Sequence, residues 1–156
     1  MIQVCNNLNL GDIFLLPIPD INKWHYFVVL AILQESRQCL LTSFTSIKKG
    51  LYYDDSCVFD ANDNIRYKNG ELLIKQRSSI RYDMPTELDS SYLIRLKNTS
   101  RFCGNIGNSL FQRLLEGAKK SPKMQNNLKI MYNLTDNTFA KKKVILKRKV
   151  ILLNQR

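Results

Sequence analysis

The sequence predicts an α+β protein, mostly β: a small antiparallel β-barrel followed by one or two C-terminal helices and a basic tail. Three observations predict it. Short apolar runs of strand length, separated by polar loops, crowd into the first eighty of 156 residues with no helical pattern between them. An apolar stripe at three- and four-residue spacing then runs from Ile106 to Ala118. Last comes a stretch of lysine and arginine broken only by apolar triplets. Residues 1–134 read as one barrel-plus-helix domain and residues 135–156 as a basic C-terminal extension.

The first strand is DIFLLPI, Asp12 to Ile18, which ends among prolines. Tyr26 to Leu33 is the second, and after Trp24 eight of nine residues are apolar, the pattern of a strand buried on both faces. QCLLTSFTS, Gln38 to Ser46, follows a loop of hairpin length. Ser56 to Asp60, Glu71 to Lys75 and Ser78 to Asp83 are shorter strand candidates, with a tight turn at Asn69–Gly70. In the helix that follows, Lys119 and Lys120 suit the negative end and Pro122 stops it. A second helix is expected from Ser121, as cap, through Met124, Leu128 and Met131.

Charge narrows the function. The chain carries 24 Lys and Arg against 13 Asp and Glu, a net +11, which favours polyanions and above all nucleic acid. Residues 135–156 hold +6 of that, leaving +5 for the rest. No run approaches the roughly 18–20 apolar residues that cross a bilayer. The first residues lack the layout of a secretion signal, so a cytoplasmic protein without membrane contact is expected. Four scattered cysteines and a single histidine argue against a zinc cage, and neither metal nor cofactor is expected. Asp54, Asp55, Asp60 and Asp63 are expected to be solvated loop acids.

Four motifs in order carry a resemblance. They are GDIFLL (Gly11 to Leu16), HYFVVL (His25 to Leu30), LLTSFTS (Leu40 to Ser46) and GELLIKQRSSI (Gly70 to Ile80). Together they resemble the strands of the MazF/PemK toxins, the ribonucleases of toxin–antitoxin pairs. In that family the first strand opens on Gly-Asp, the second carries Arg-Pro, the third ends in a Thr/Ser pair and a later segment reads G-x-x-L-x-D-Q-x-R/K-S/T-I. The match covers roughly the first eighty to one hundred residues, and nothing in it accounts for Met124 onward. His25 and Tyr26 stand where the family has Arg-Pro, and Lys75 where it has aspartate. DDSCVFDAND (Asp54 to Asp63) is similar to a variant branch that continues with a histidine, where this chain has Asn64. The resemblance implies an SH3-like barrel, a homodimer, cleavage of single-stranded RNA without metal, and a cognate antitoxin protein that blocks the RNA groove.

The residues themselves allow that chemistry. Cleavage by 2′-OH attack needs a base for the hydroxyl proton, an acid for the leaving 5′-oxygen, and groups that hold the phosphorane charge. His25 is the one side chain whose ordinary pKa, about 6.5, suits either proton role. The expected catalytic set is His25 with Thr42 or Ser43 on the neighbouring strand binding phosphate. The expected RNA-binding residues are Trp24, Tyr26, Lys48, Gln76, Arg77, Ser79 and Arg81. Trp24 and Tyr26 can stack on bases, and the arginines can grip phosphate with two parallel hydrogen bonds. The bland alternatives are a structural histidine at a strand end, core aromatics and solvated arginines. A non-catalytic nucleic-acid-binding or regulatory module on the same barrel is the competing function.

Overall fold

A computed structural model describes residues 7–18 and 21–135. Asp136 and all that follows, including the basic run of the expected extension, lie outside them, as does Cys5. The predicted class is what folds: α+β, mostly β, a curled antiparallel half-barrel of SH3-like type. Strands β1 (Asp12–Pro17), β2 (Trp24–Ile32) and β3 (Gln38–Ser46) form its centre. The short strands β4 (Val58–Phe59) and β5 (Ser78–Ile80) continue the sheet beyond β3. β6 (Thr86–Asp89) also pairs β3, and β7 (Phe102–Asn105) closes the far side against β1. Helix α1 (Ser90–Leu96) lies between β6 and β7 in the chain, and α2 (Asn108–Lys120) and α3 (Asn126–Met131) follow.

Alternation along the strands sorts side chains onto two faces. Ile13, Val28, Leu40, Phe44 and Ile80 pack under α2 and α3 with Phe111, Leu114 and Leu128. Phe14, Leu16, Phe27, Val29 and Leu41 pack on the other face against Leu93 and Leu96 of α1. The unbroken apolar runs of β2 and β3 follow from this: the sheet is covered on both sides. Register shifts between Ile13 and Phe14 and between Val29 and Ala31 mark the irregularities that curl it. Helix α2 comes so close that a Cβ at Gly117 would sit 2.5 Å from the Tyr82 hydroxyl oxygen and 2.6 Å from Cys57 Cβ.

The opening Gly-Asp has a structural reason. Gly11 takes φ +85°, and a Cβ there would meet Ile106 at 2.9 Å. Asp12 is 1 % exposed. Its carboxylate accepts from Asn9 N at 2.8 Å and Asn105 Nδ2 at 3.0 Å, and pairs with Lys97 Nζ at 3.0 Å. One carboxylate thus ties the start of β1 to the end of β7 and the C-terminus of α1.

Several expected elements differ. Glu71 to Lys75 makes only a single bridge, Leu72 to Arg66, because Leu73 and Ile74 both turn into the core. Ser121 ends α2 rather than capping the next helix, which begins at Asn126. The acids of residues 54–63 are mostly not solvated. Asp54 accepts from Ser56 N and Ser121 Oγ, Asp60 and Asp63 cap a 3₁₀ turn reciprocally, and Asp63 also pairs with Arg113. Asn64 takes a left-handed φ of 61° to end that turn. Among the described residues no helix is long and apolar enough to cross a membrane.

Removing the Asp12 carboxylate leaves the largely buried Lys97 ammonium without a counter-charge, held by the Asn7 carbonyl at 2.8 Å and the Phe102 ring. Asp12→Ala is expected to lose roughly 3–5 kcal/mol, read as a lower urea midpoint with an unchanged slope. A midpoint equal to wild type would show that the tie carries no net stability.

Candidate functional site

The sheet is covered on both faces, so its open ground is where β3 and β5 run out together. There a cleft of about 560 Å³ is lined by Thr45, Ser79, Lys48, Tyr52, Arg81 and Lys123, with Tyr53, Asp54 and Asp83 among its other walls. Thr45 and Ser79 are opposite one another in the β3–β5 register. Ser78 and Ile80, on either side of Ser79, face inward, so the Ser79 hydroxyl faces away from the core into the cleft.

The cations of the cleft are held in different ways. Arg81 grips Asp83 with Nε to Oδ1 at 2.9 Å and Nη2 to Oδ2 at 3.0 Å. That hydrogen bond holds the Asp83 carboxyl below the usual carboxylate range, against a smaller rise from partial burial, and raises the Arg81 guanidinium. Lys48 and Lys123 form no salt bridge among the described residues. Lys123 Nζ lies 5.2 Å from the centre of the Tyr52 ring, and the Arg77 guanidinium lies 5.7 Å from that of Tyr53. Both are within cation–π range. Asp54 keeps its negative charge in the cleft wall, its oxygens oriented by Ser56 N at 2.9 Å and Ser121 Oγ at 2.5 Å.

Lys123 reaches the cleft because the chain after α2 is bolted down. Ser121 is sealed and bonded to Asp54. Lys129 Nζ donates to the carbonyls of Lys119 at 2.9 Å and Ser121 at 2.8 Å, satisfying the end of α2. Burial lowers the Lys129 pKa, partly offset by Asp54.

The expected catalytic residues do not converge. Thr42 is 0 % exposed and its hydroxyl donates to the Arg81 carbonyl at 2.9 Å. It cannot meet a phosphate, and this corrects its expected role. Thr42 and Ser43, adjacent on one strand, face opposite sides of the sheet. Ser43 is buried opposite Phe27 and lines no part of the cleft. His25, half-buried, stands opposite Leu16 on β1. His25 and Thr45 each lie two residues outward from the Phe27–Ser43 pair and share its face. Thr45, not Thr42, is therefore the hydroxyl at the histidine's end of the sheet.

Of the expected RNA-binding residues, Lys48, Ser79 and Arg81 line the cleft, and Arg77 borders it through Tyr53. Gln76 and Tyr26 line a shallower recess next to it, which shares Ser46 with the cleft. The Tyr26 ring packs edge-on against Tyr67, 5.7 Å between centres, and their hydroxyls share a hydrogen bond. Desolvation raises the Tyr26 pKa, with a smaller push from Cys103. Trp24 stands apart, 48 % exposed, with the Arg101 guanidinium 4.8 Å from its ring centre.

Thr45, Tyr52, Tyr53 and Lys123 are additions that the structure makes. Tyr52 and Tyr53 had a sequence signal, an aromatic pair separated from Lys48 and Lys49 by Gly50 and Leu51, the interleaving of a nucleic-acid surface. Lys123 had none, being placed by tertiary contacts alone. Cys39, Cys57 and Cys103 are buried and unpaired. Burial, above all, pushes the Cys39 and Cys57 thiols up to about 11, which leaves them unreactive. Among the described residues no cluster of three or more His, Cys, Asp or Glu is placed to hold a metal ion. Compared with known protein families and with curated proteins, the chain has no match in either.

The two hydroxyls can be told apart by stability. Thr42→Val removes the shorter of two hydrogen bonds to the Arg81 carbonyl, leaving Met84 N at 3.3 Å, and is expected to cost about 0.5–1.5 kcal/mol. Ser79→Ala, whose hydroxyl has no protein partner among the described residues, is expected to stay within about 0.5 kcal/mol of wild type. Urea unfolding of both variants decides, and the reverse order would refute the assignment.

Proposed function

We propose that the protein binds single-stranded RNA in the cleft between the β3–β5 end of the sheet and Lys123. One observation carries this reading: two lysines outside any salt bridge among the described residues, an arginine paired with Asp83, exposed Tyr52 with half-buried Tyr53, and the hydroxyls of Thr45 and Ser79 line a single concavity. Cations that neutralise phosphates supply affinity by releasing counterions. Tyrosine faces add about 1–3 kcal/mol per stacked base without regard to sequence. The hydroxyls of Thr45 and Ser79 can donate to phosphate oxygens.

Metal-independent endoribonuclease activity is the second reading, and a specific placement favours it. His25 shares a face and a strand end with Thr45, the hydroxyl beside Ser79 on the cleft floor. In that reaction His25 takes the 2′-OH proton or protonates the leaving 5′-oxygen, and the cleft hydroxyls with Arg81 hold the phosphorane. The roles expected of Thr42 and Ser43 pass to Thr45 and Ser79. The toxin role, the antitoxin and the homodimer belong with this second reading and rest on the resemblance of the four motifs.

Binding is tested by fluorescence anisotropy with labelled, mixed-sequence single-stranded RNA between 50 and 200 mM salt. The logarithm of affinity is expected to fall linearly with the logarithm of salt, and Lys48→Ala and Lys123→Ala each to reduce the slope by about 0.7. No binding at the lowest salt would overturn the reading.

Cleavage is tested in single turnover with EDTA. If RNA is cut, His25→Ala is expected to slow the reaction about 10²- to 10⁴-fold. Equal rates would take His25 out of the mechanism, and intact RNA would leave binding alone.

A further inference from the structure

We propose that the cleft is a seat for one nucleotide and binds a nucleoside monophosphate on its own, without the rest of an RNA chain. The inference rests on the RNA reading of the same cleft and says which unit of the polymer it takes. At about 560 Å³ the cleft falls within the roughly 300–1,000 Å³ of small-molecule sites.

Its floor is built for an anion. Ser79 is 1 % exposed, yet its hydroxyl has no hydrogen-bond partner among the described residues. None of the described side-chain oxygens or nitrogens that are sealed from solvent lacks a partner, so the Ser79 oxygen itself opens to solvent. The cleft is where it opens. Thr45, opposite it in register, is likewise unspent. Polar groups this deep in a protein are nearly always bonded. The Ser79 hydroxyl, with the half-buried Thr45 hydroxyl beside it under a cationic rim, is therefore a donor kept for a ligand.

Charge and rings fix the ligand's class. Among the described residues Lys48 and Lys123 form no salt bridge, Arg81 is paired with Asp83, and Asp54, bonded to Ser56 and Ser121, leaves the cleft with a net positive charge of three cations against two carboxylates. Two ammoniums outside any salt bridge can each approach a phosphate oxygen. Tyr52 is 77 % exposed and carries Lys123 near its ring, an arrangement that leaves a face for a base. One phosphate site and one stacking surface share a single concavity. The phosphate sits on the hydroxyl floor and the base against the tyrosine.

The test is calorimetric and NMR titration of the whole chain with UMP and AMP, the nucleosides uridine and adenosine, and inorganic phosphate. The monophosphates are expected to bind at least about tenfold tighter than either nucleoside or phosphate alone. Ser79→Ala is expected to weaken them about tenfold, since the lost hydrogen bond is to a charged group, and Tyr52→Ala by a similar factor. Nucleosides or inorganic phosphate binding as tightly as the monophosphates would overturn the seat, as would full affinity in Ser79→Ala. RNA binding with no monophosphate binding also overturns it while the RNA reading stands. Monophosphate binding without RNA binding upholds the seat and removes the RNA reading.

Discussion

Along one side, β3 changes partners. Cys39, Leu40 and Leu41 pair with β6, while Phe44, Thr45 and Ser46 pair with β5. Between them the ladder has to be bridged, and two bonds do it: Arg81 N to Ser43 O at 2.9 Å, and the Thr42 hydroxyl to Arg81 O at 2.9 Å. Met84 N adds a longer bond to the same Arg81 carbonyl at 3.3 Å. This fork fixes what stands on either side of it. Arg81 is held with its guanidinium outward, beside Ser79 and Thr45. The next residue, Tyr82, turns fully inward and donates to the Leu114 carbonyl at 2.7 Å. Through Tyr82 the fork also seats α2, whose close approach at Gly117 leaves no room for a side chain. Seating α2 places its end at Ser121, and so delivers Lys123. One change of strand partner thus positions both the floor and the far wall of the cleft.

The legible part of the fold was the part coded by local pattern. β1 and β3 stand within a residue of where apolar runs and loop residues put them, and β3 begins and ends where QCLLTSFTS does. α2 follows its stripe. β6, α1 and β7 left no comparable trace, because β6 alternates half-buried with exposed residues and α1 has only seven residues. The site was less legible than the fold for a reason of geometry. Thr42, Ser43 and Thr45 are similar hydroxyls within four positions, and only the register of β3 separates the sealed one from the open one. A strand sends neighbours to opposite faces, so an error of one residue moves a hydroxyl from cleft to core. The acids of residues 54–63 misled in the opposite sense. They read as solvated, yet most are taken up as caps and ties that hold the loop under the cleft.

Placement of charge matters more here than its sum. Lys97 is consumed by Asp12, Arg113 by Asp63 and the Val58 carbonyl, and Lys129 by the end of α2. Those cations build the structure and are not on offer to a ligand. Lys48 and Lys123 are on offer, and they flank the same cleft. Held near tyrosine rings, Lys123 and Arg77 are partly preorganised, which lowers the entropy lost when a phosphate arrives. Trp24 with Arg101 repeats the aromatic–cation pairing at the start of β2, on the face opposite His25, and does not line the cleft.

Binding and cleavage make different demands, and the geometry meets the first more fully. Binding needs cations, rings and donors at tolerances of ångströms, and the cleft supplies all three. Cleavage needs a proton carrier within hydrogen-bond reach, about 2.6–3.2 Å, of the reacting oxygen. His25 carries no hydrogen bond among the described residues to orient its ring, whereas a working general base is oriented by a neighbour. It also stands at the rim of the sheet end, outside the residues that line the cleft. Bound RNA would have to cross from the Ser79 floor over Thr45 toward β2 for its 2′-hydroxyl to meet the imidazole. Thr45 lies on that route, beside Ser79 on one strand pair and on the histidine's face of the sheet. Under the proposed reading, whether bound RNA is also cut turns on its path across Thr45.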